Sequence, residues 1–279
     1  MNEQQRQAMV RETFNTVAGG YDGKPLRFFP ESAAFLAASL GLRGNEHILD
    51  VATGTGNAAL ALAPLLPQGR VTGIDFSAGM LDLARQKAAA RGIRNVEFIE
   101  RDMQAIGFPT DAFDAAVCSF GIFFLDDMEA QLARIAATVK PGGTVAISGF
   151  QERYFHPLAD LMFERLANHG VQQPPQTWKR IANEAGCREL FGRAGLTDVR
   201  VEERNLGYYL ENADEWWYVV WNAGFRRLIS QLPEEERERF RRDHLQEVEA
   251  LRTREGIWLD VGVLFTIGTK PAATMTRYA

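Results

Sequence analysis

Between residues 46 and 150, five short apolar runs alternate with segments of helical periodicity, the order of a parallel sheet built by right-handed crossovers. The runs are His47 to Ala52, Arg70 to Asp75, Asn95 to Glu100, Phe113 to Ser119 and Thr144 to Gly149, with helices expected at about 57–66, 77–91 and 127–139. Each run is apolar almost throughout, so both faces of each strand are covered. Pro141-Gly142-Gly143 stops the third helix and turns the chain into the fifth strand. The region reads as a doubly wound α/β sheet. The first 45 residues read as helices interrupted at Gly19-Gly20 and Gly23-Lys24-Pro25, with a helix at about 30–41. Beyond Gly149, helices are expected at about 156–169, 177–194, 213–231 and 233–253, and strands at Asp198 to Leu210 and Ile257 to Gly268. The expected division is a helical N-terminal cover (1–45), the sheet core (46–150), and a remainder (151–279) that completes the core and inserts helices at about 151–195 and 211–255.

At 279 residues and 46% hydrophobic side chains, the chain supports a core without covalent staples. Cys118 sits in an apolar run and Cys187 in a helical pattern, fitting neither a disulfide framework nor a CxxC site; a reducing cytoplasm is expected. Lys and Arg number 31 against 36 Asp and Glu, and with a net charge of −5 no nucleic-acid partner is expected. No apolar stretch opens the chain, and Ala58 to Leu66 is broken by Pro64, so neither an export signal nor a membrane span is expected. Asp126-Asp127 reads as a helix cap, and no metal site is expected.

The chemistry concentrates in Asp50-Val51-Ala52-Thr53-Gly54-Thr55-Gly56-Asn57, which follows the first strand and opens the first helix. Two glycines let the backbone turn sharply and approach a ligand, while a helix N-terminus offers N–H groups. Asp75 ends the next strand, where a carboxylate accepts both hydroxyls of a ribose. Gly54-Thr55-Gly56-Asn57-Ala58-Ala59 also fits G-x-G-x-x-A, so the pattern leaves a nicotinamide-dependent oxidoreductase open. Asp50 is expected to point into the crevice, where its charge helps a cation and opposes a pyrophosphate. Asp102-Met103, after the third strand, suits an adenine edge and face. Three acids at successive strand ends suit a nucleoside carrying a cation, in an enzyme or in a cofactor-binding protein without turnover.

The sequence resembles the class I S-adenosylmethionine-dependent methyltransferases, in the small-molecule branch that includes the ubiquinone and menaquinone C-methyltransferases. The resembling residues are Ile48-Leu49-Asp50-Val51-Ala52-Thr53-Gly54-Thr55-Gly56, Val71 to Leu81, Asp102-Met103, Ser119-Phe120-Gly121-Ile122 and Lys140-Pro141-Gly142-Gly143. The resemblance implies a Rossmann-like seven-stranded sheet with its last strand antiparallel, an N-terminal helical lid and C-terminal helical insertions. It further implies that Asp50, Gly54 and Gly56 hold the methionine end of the cofactor, with Ala52 and Thr53 in the same turn. Asp75, beside Phe76, would hold the ribose, Met80 the adenine face, and Asp102 with Met103 the adenine edge. Ser119 and Phe120 would line the sulfonium side, and Tyr21-Asp22 resembles a lid element. Thr53-Gly54-Thr55-Gly56 departs from the family's commoner Gly-Cys-Gly-Thr-Gly by one glycine.

Methyl transfer from a sulfonium is a one-step displacement, so alignment and desolvation matter more than a fixed dyad. Of four histidines, His156, after the fifth strand, is the candidate general base, against a structural role capping the next helix. Phe28, Phe123, Tyr209, Trp217 and Trp221 are candidates for an acceptor pocket, against a role in packing the added helices. The acceptor is expected to be a hydrophobic or aromatic small molecule, methylated on carbon, oxygen or nitrogen. Ser119-Phe120-Gly121-Ile122 lacks the Asp/Asn-Pro-Pro-aromatic clamp of exocyclic-amine DNA methylation.

Overall fold

The computed structural model describes residues 3–173 and 176–272. Nine strands carry the fold: β1 (His47–Val51), β2 (Arg70–Asp75), β3 (Val96–Glu100), β4 (Phe113–Ser119), β5 (Val139–Phe150), β6 (Thr197–Asn205), β7 (Tyr208–Leu210), β8 (Ile257–Leu259) and β9 (Gly262–Thr269). Seven form one sheet in the order β3-β2-β1-β4-β5-β9-β6. Strands β1 to β5 pair in parallel, and β9 runs antiparallel to both β5 and β6. The strand order reverses between β1 and β4, which places the crevice at the C-terminal ends of those two strands.

Alternation along the strands sorts side chains between two helical layers. Ile48, Val71, Val117 and Ala146 point to the layer containing α2 (Phe28–Ser39), α3 (Asn57–Leu62) and α4 (Ala78–Ala90). Leu49, Val51, Ile74, Val145 and Ile147 point to the layer containing α5 (Met128–Thr138) and α7 (Glu184–Arg193). Asparagine and aspartate caps start these helices: Asp127 Oδ1 accepts from Ala130 N–H and Asn183 Oδ1 from Gly186 N–H. Thus α7, expected among inserted helices, covers the sheet beside α5. The remaining helices are α1 (Glu3–Val17), α6 (Leu158–Asn168), α8 (Ala213–Asn222), α9 (Arg226–Ile229) and α10 (Glu234–Glu249).

Two expected strands break. Asp198 to Leu210 becomes β6 and β7, and Ile257 to Gly268 becomes β8 and β9; β7 and β8 pair only with each other. The break is fixed by polar contacts: Asn205 Nδ2 donates to Asp260 Oδ1 (2.7 Å), and Gly207 N–H donates to Asn205 Oδ1 (2.8 Å). The expected helix at 213–231 splits at Ala223–Phe225 into α8 and α9, and the one at 177–194 splits into a 3-10 turn, Thr177–Ile181, and α7. Cys118 and Cys187 are buried free thiols. No described helix is long and apolar enough to cross a membrane.

Candidate functional site

The turn after β1 is held from below by Asp50. Asp50 is completely buried, and its Oδ2 accepts from Thr53 Oγ1 (2.6 Å) and from Ala59 N–H (3.0 Å) in α3. Its Oδ1 is buried with no hydrogen-bond partner. Desolvation pushes its pKa up to about 7, against the lowering effect of those two hydrogen bonds. The expectation that this carboxylate points freely into the crevice is corrected: Asp50 shares the sheet face of Ile48, which α3 covers.

Asp75, at the tip of β2, ties the turn to the next crossover. Its Oδ2 accepts from Gly54 N–H and its Oδ1 from Ser77 N–H, both at 2.9 Å. Burial again raises its pKa. Gly54 and Gly56 adopt φ of +54° and +80°. A Cβ at Gly56 would lie 3.0 Å from both Ala84 Cβ and Phe98 Cζ, so glycine permits the close approach of α3, α4 and β3. At Gly54 no atom lies within 4 Å of that position, leaving the outer side of the turn open. Several N–H groups of the turn are already spent: Thr53 donates to Ile74, Gly54 to Asp75, and Gly56 to Thr53.

Beside this turn lies a cavity of about 510 Å³, including space open to solvent. Asp75 and Asp102 supply carboxylates to its wall, with Arg101 and Gln104 next to them. Ala52, Phe76, Met103 and Leu125 supply apolar surface, and Val10 and Phe124 close one side. A cleft with this mixed lining, carboxylates beside apolar surface, suits a nucleoside. The residues present therefore fit S-adenosylmethionine.

Three non-glycine residues at the strand ends hold positive φ: Ala52 after β1 (+56°), Phe120 after β4 (+52°) and Phe155 after β5 (+59°). Such conformations cost about 1–3 kcal/mol each and cluster at functional sites. Ser119 Oγ and Ser148 Oγ hydrogen-bond at 2.7 Å across β4 and β5. Phe120 joins an aromatic cluster with Phe28, Phe29 and Phe150, with centroid separations of 6.4, 5.2 and 4.6 Å. Phe123 reaches the same cluster through Phe150 (6.4 Å) and touches the cavity side through Phe124 (5.0 Å).

The N-terminal segment is latched over the turn. Asp22 Oδ1 accepts from Thr55 Oγ1 (2.8 Å) and Asn57 Nδ2 (3.3 Å), and Lys87 Nζ lies 2.9 Å from each Asp22 oxygen. Asn15 Oδ1 accepts from Ser77 Oγ (2.6 Å) and Gly79 N–H (3.3 Å). Tyr21 stacks on Phe29 at 4.7 Å, and burial beside Asp75 and Asp22 raises its pKa, keeping it a phenol. This latch was not legible residue by residue. Asp22 adjoins Tyr21, which offered a hint, but Asn15 and Lys87 carry no local signal.

Other candidates lie elsewhere. Met80 is buried against Val17 and Ala18 under α1, away from the residues lining the cavity; Phe76 and Met103 offer the apolar faces instead. His156 turns to the surface, where its Nδ1 pairs with Asp160, as a capping histidine does. Tyr209 is 38% exposed on the β7–β8 ribbon against Trp258. Trp217 and Trp221 stack on each other at 5.9 Å under the guanidiniums of Arg241 and Arg226, outside the Phe120 cluster. The fully buried Trp216 faces inward from the same helix, packing on Phe155 at 5.9 Å and donating to His244 Nε2 at 2.8 Å.

Comparison with known proteins agrees with this geometry. Residues 48–143 match the methyltransferase domain family. The chain is 32% identical over 184 residues to the demethylmenaquinone methyltransferase of Geobacillus kaustophilus, covering 60% of this chain and 78% of that protein. It is 31% identical over 214 residues to the ubiquinone/menaquinone biosynthesis C-methyltransferase of Serratia proteamaculans, covering 70% and 85%. A demethylmenaquinone methyltransferase from Thermus thermophilus is 43% identical over 105 residues, and the chain spans about half of it, 47%. Among solved structures, the YcgJ protein of Bacillus subtilis superposes with a TM-score of 0.60 at 20% identity, covering 87% of this chain and 99% of that one. Phosphoethanolamine N-methyltransferase 2 of Haemonchus contortus, solved with S-adenosylhomocysteine, superposes at 0.53 with 16% identity, covering 86% and 52%. These two share the fold.

Proposed function

The chain belongs to the class I S-adenosylmethionine-dependent methyltransferases, and on that premise we propose that it methylates a ring carbon of an apolar, oxygen-bearing aromatic acceptor of the demethylmenaquinone kind. The observation that carries this reading is the pairing of a carboxylate-walled cavity with a phenylalanine cluster at the ends of β4 and β5. When bound, the cofactor supplies a methyl group on a positive sulfur with a thioether leaving group.

In this reading Asp75 and Asp102 hold the nucleoside, Phe76, Met103 and Leu125 pack its base, and the Thr53 to Gly56 turn lies under the amino-acid end. Asp50 braces that turn from beneath through Thr53 and Ala59. Tyr21, Phe28, Phe120 and Phe123 exclude water from the reacting face, which strengthens every charge interaction there. With His156 paired at the surface, no base role is assigned to it: the acceptor's ring oxygen raises the electron density on the carbon that takes the methyl, the sulfur leaves as the thioether, and the proton displaced from that carbon passes to solvent. The carboxylates of Asp75 and Asp102 on the cavity wall oppose a pyrophosphate, which favours this reading over the nicotinamide alternative. The helical lid (1–45) and the helices at 151–195 and 211–255 enclose the acceptor side, apart from α7. A small-molecule partner and a reducing cytoplasm suit the negative net charge and the two free buried thiols.

The test is transfer of labelled methyl from S-adenosylmethionine to a reduced, short-prenyl 1,4-naphthoquinone, read by extraction into organic solvent. S-adenosylhomocysteine is expected to raise the melting temperature and NAD to leave it unchanged. The reverse pattern would overturn the reading.

A further inference from the structure

Gln131 is wholly buried on α5, among the apolar side chains that this helix buries, Met128, Leu132 and Ile135. An apolar side chain would fill that position without the cost of burying an amide, so the partners of the amide are informative. Gln131 Nε2 donates to Met103 O at 2.6 Å, and Gln131 Oε1 accepts from Arg134 Nη1 at 3.2 Å. A carbonyl oxygen only accepts and a guanidinium only donates, so these two partners fix the amide in one orientation.

Met103 belongs to the short 3-10 turn Met103–Ala105, which follows β3 and lines the cavity together with Asp102. The ends of this turn are held locally. Arg101 N–H donates to Asp75 O (2.7 Å), and Arg101 Nη1 reaches Ile106 O (2.6 Å) while its guanidinium lies over Phe108 at 4.5 Å. Inside the turn, Asp102 Oδ1 accepts from Gln104 N–H (2.8 Å). Among the described residues, the bond from Gln131 is the only hydrogen bond that ties residues 102–105 to another helix or strand. It comes from the helix that Phe124 and Leu125 lead into, so one element sets two walls of the cavity.

In the reading above, Asp102 and Met103 meet the nucleoside, and the inference rests on that reading. A carboxylate attracts an exocyclic amino group and repels a ring carbonyl, so discrimination between the two depends on how firmly the carboxylate is held. A displacement of about 0.7 Å takes a hydrogen bond out of range. We propose that Gln131 is the positioning residue for base selection: from α5 it fixes the turn that presents Asp102 and Met103, and so makes the site prefer a 6-aminopurine to a 6-oxopurine nucleoside. Gln131 does not line the cavity itself and acts through the Met103 carbonyl.

The test compares S-adenosylhomocysteine with S-inosylhomocysteine, which differ at the 6-position and N1 of the purine. Both are titrated by calorimetry against wild type, Gln131→Met and Gln131→Glu. Methionine keeps the volume and removes the amide. Glutamate keeps the shape and the bond from Arg134 but, when ionised, has no hydrogen to donate to Met103 O. Wild type is expected to prefer the adenosyl compound by about tenfold or more, and each variant to lose about three- to tenfold of that preference through weaker adenosyl binding. A general loosening of the fold weakens both ligands alike, so the ratio of the two affinities separates positioning from structural support. An unchanged ratio in either folded variant, or a wild type that binds both compounds equally, would overturn the assignment. Loss of folding in both variants would also overturn it, by making Gln131 a residue of the core rather than of the site. A wild type that binds neither compound sinks the methyltransferase assignment instead, whereas a preference independent of residue 131 removes only the role of Gln131.

Discussion

Replacing Asp50 by Asn should flatten the protein's pH dependence of stability. Asp50 is wholly buried, and its folded pKa is raised from the ordinary 3.8 to about 7. A carboxyl that is harder to ionise in the folded state favours folding most at low pH, and that advantage is lost as pH rises towards about 7. The full span corresponds to about 4 kcal/mol, and the part between about pH 5 and pH 8 to about 3 kcal/mol. Asparagine can keep both bonds of Oδ2, accepting from Thr53 Oγ1 and Ala59 N–H. Its amide nitrogen, placed where Oδ1 has no partner, costs about 1–3 kcal/mol at any pH. Absolute stability therefore changes little near neutrality, and the slope is the clearer signal. Urea denaturation at several pH values should show wild type losing stability across this range and Asp50→Asn losing less, by about 3 kcal/mol. Asp75, whose pKa is also raised by burial, contributes the same sign in both proteins, somewhat less in the variant because the Asp50 charge that repels it is gone. S-adenosylhomocysteine affinity should change little in the variant, since Asp50 lies beneath α3 and the carboxylates on the cavity wall are Asp75 and Asp102. Parallel pH profiles for the two proteins would refute the argument from buried charge.

Asp75→Ala should cost about 1.5–3 kcal/mol of S-adenosylhomocysteine binding by calorimetry, through lost charge-assisted bonds and a loosened turn where Gly54 and Ser77 N–H lose their acceptor. Unchanged affinity counts against the ribose role. Asp22→Ala unlatches the N-terminal segment from Thr55, Asn57 and Lys87, and dissociation of S-adenosylhomocysteine should quicken by about tenfold in stopped flow, a modest effect because the pair is partly exposed. An unaltered off-rate would show that the latch does not gate the site. His156→Ala should leave the turnover number and the pH–rate profile as they are, since the ring pairs with Asp160 at the surface; loss of a limb in the profile would restore it as a base.

The sheet was legible because β1, β2, β4 and the second half of β5 are buried on both faces, so their apolar runs stand out whatever covers them, while β3 at the sheet edge is buried only at Phe98. The late strands were not legible at their ends, because β propensity continues smoothly through Leu206 while the pairing partner changes from β9 to β8. Only the contact of Asn205 with Asp260, 55 residues away, marks the break. The aromatic residues failed for a related reason: side-chain type reports burial, and Trp216 is separated from Trp217 and Trp221 by which face of α8 each occupies. The misreading of Asp50 was avoidable. Residues 48 and 50 share a sheet face, and Ile48 on that face requires a covering helix, so a carboxylate one residue short of the strand end must lie beneath α3. Asp75, the last residue of β2, reaches both the turn and the cavity. Preference for a cation therefore rests on Asp75 and Asp102 at the cavity wall, while Asp50 braces the turn from below. Asp75 is costly to keep ionised without a ligand, and a bound positive charge lowers that cost, so cofactor binding and stability are coupled through the same residue.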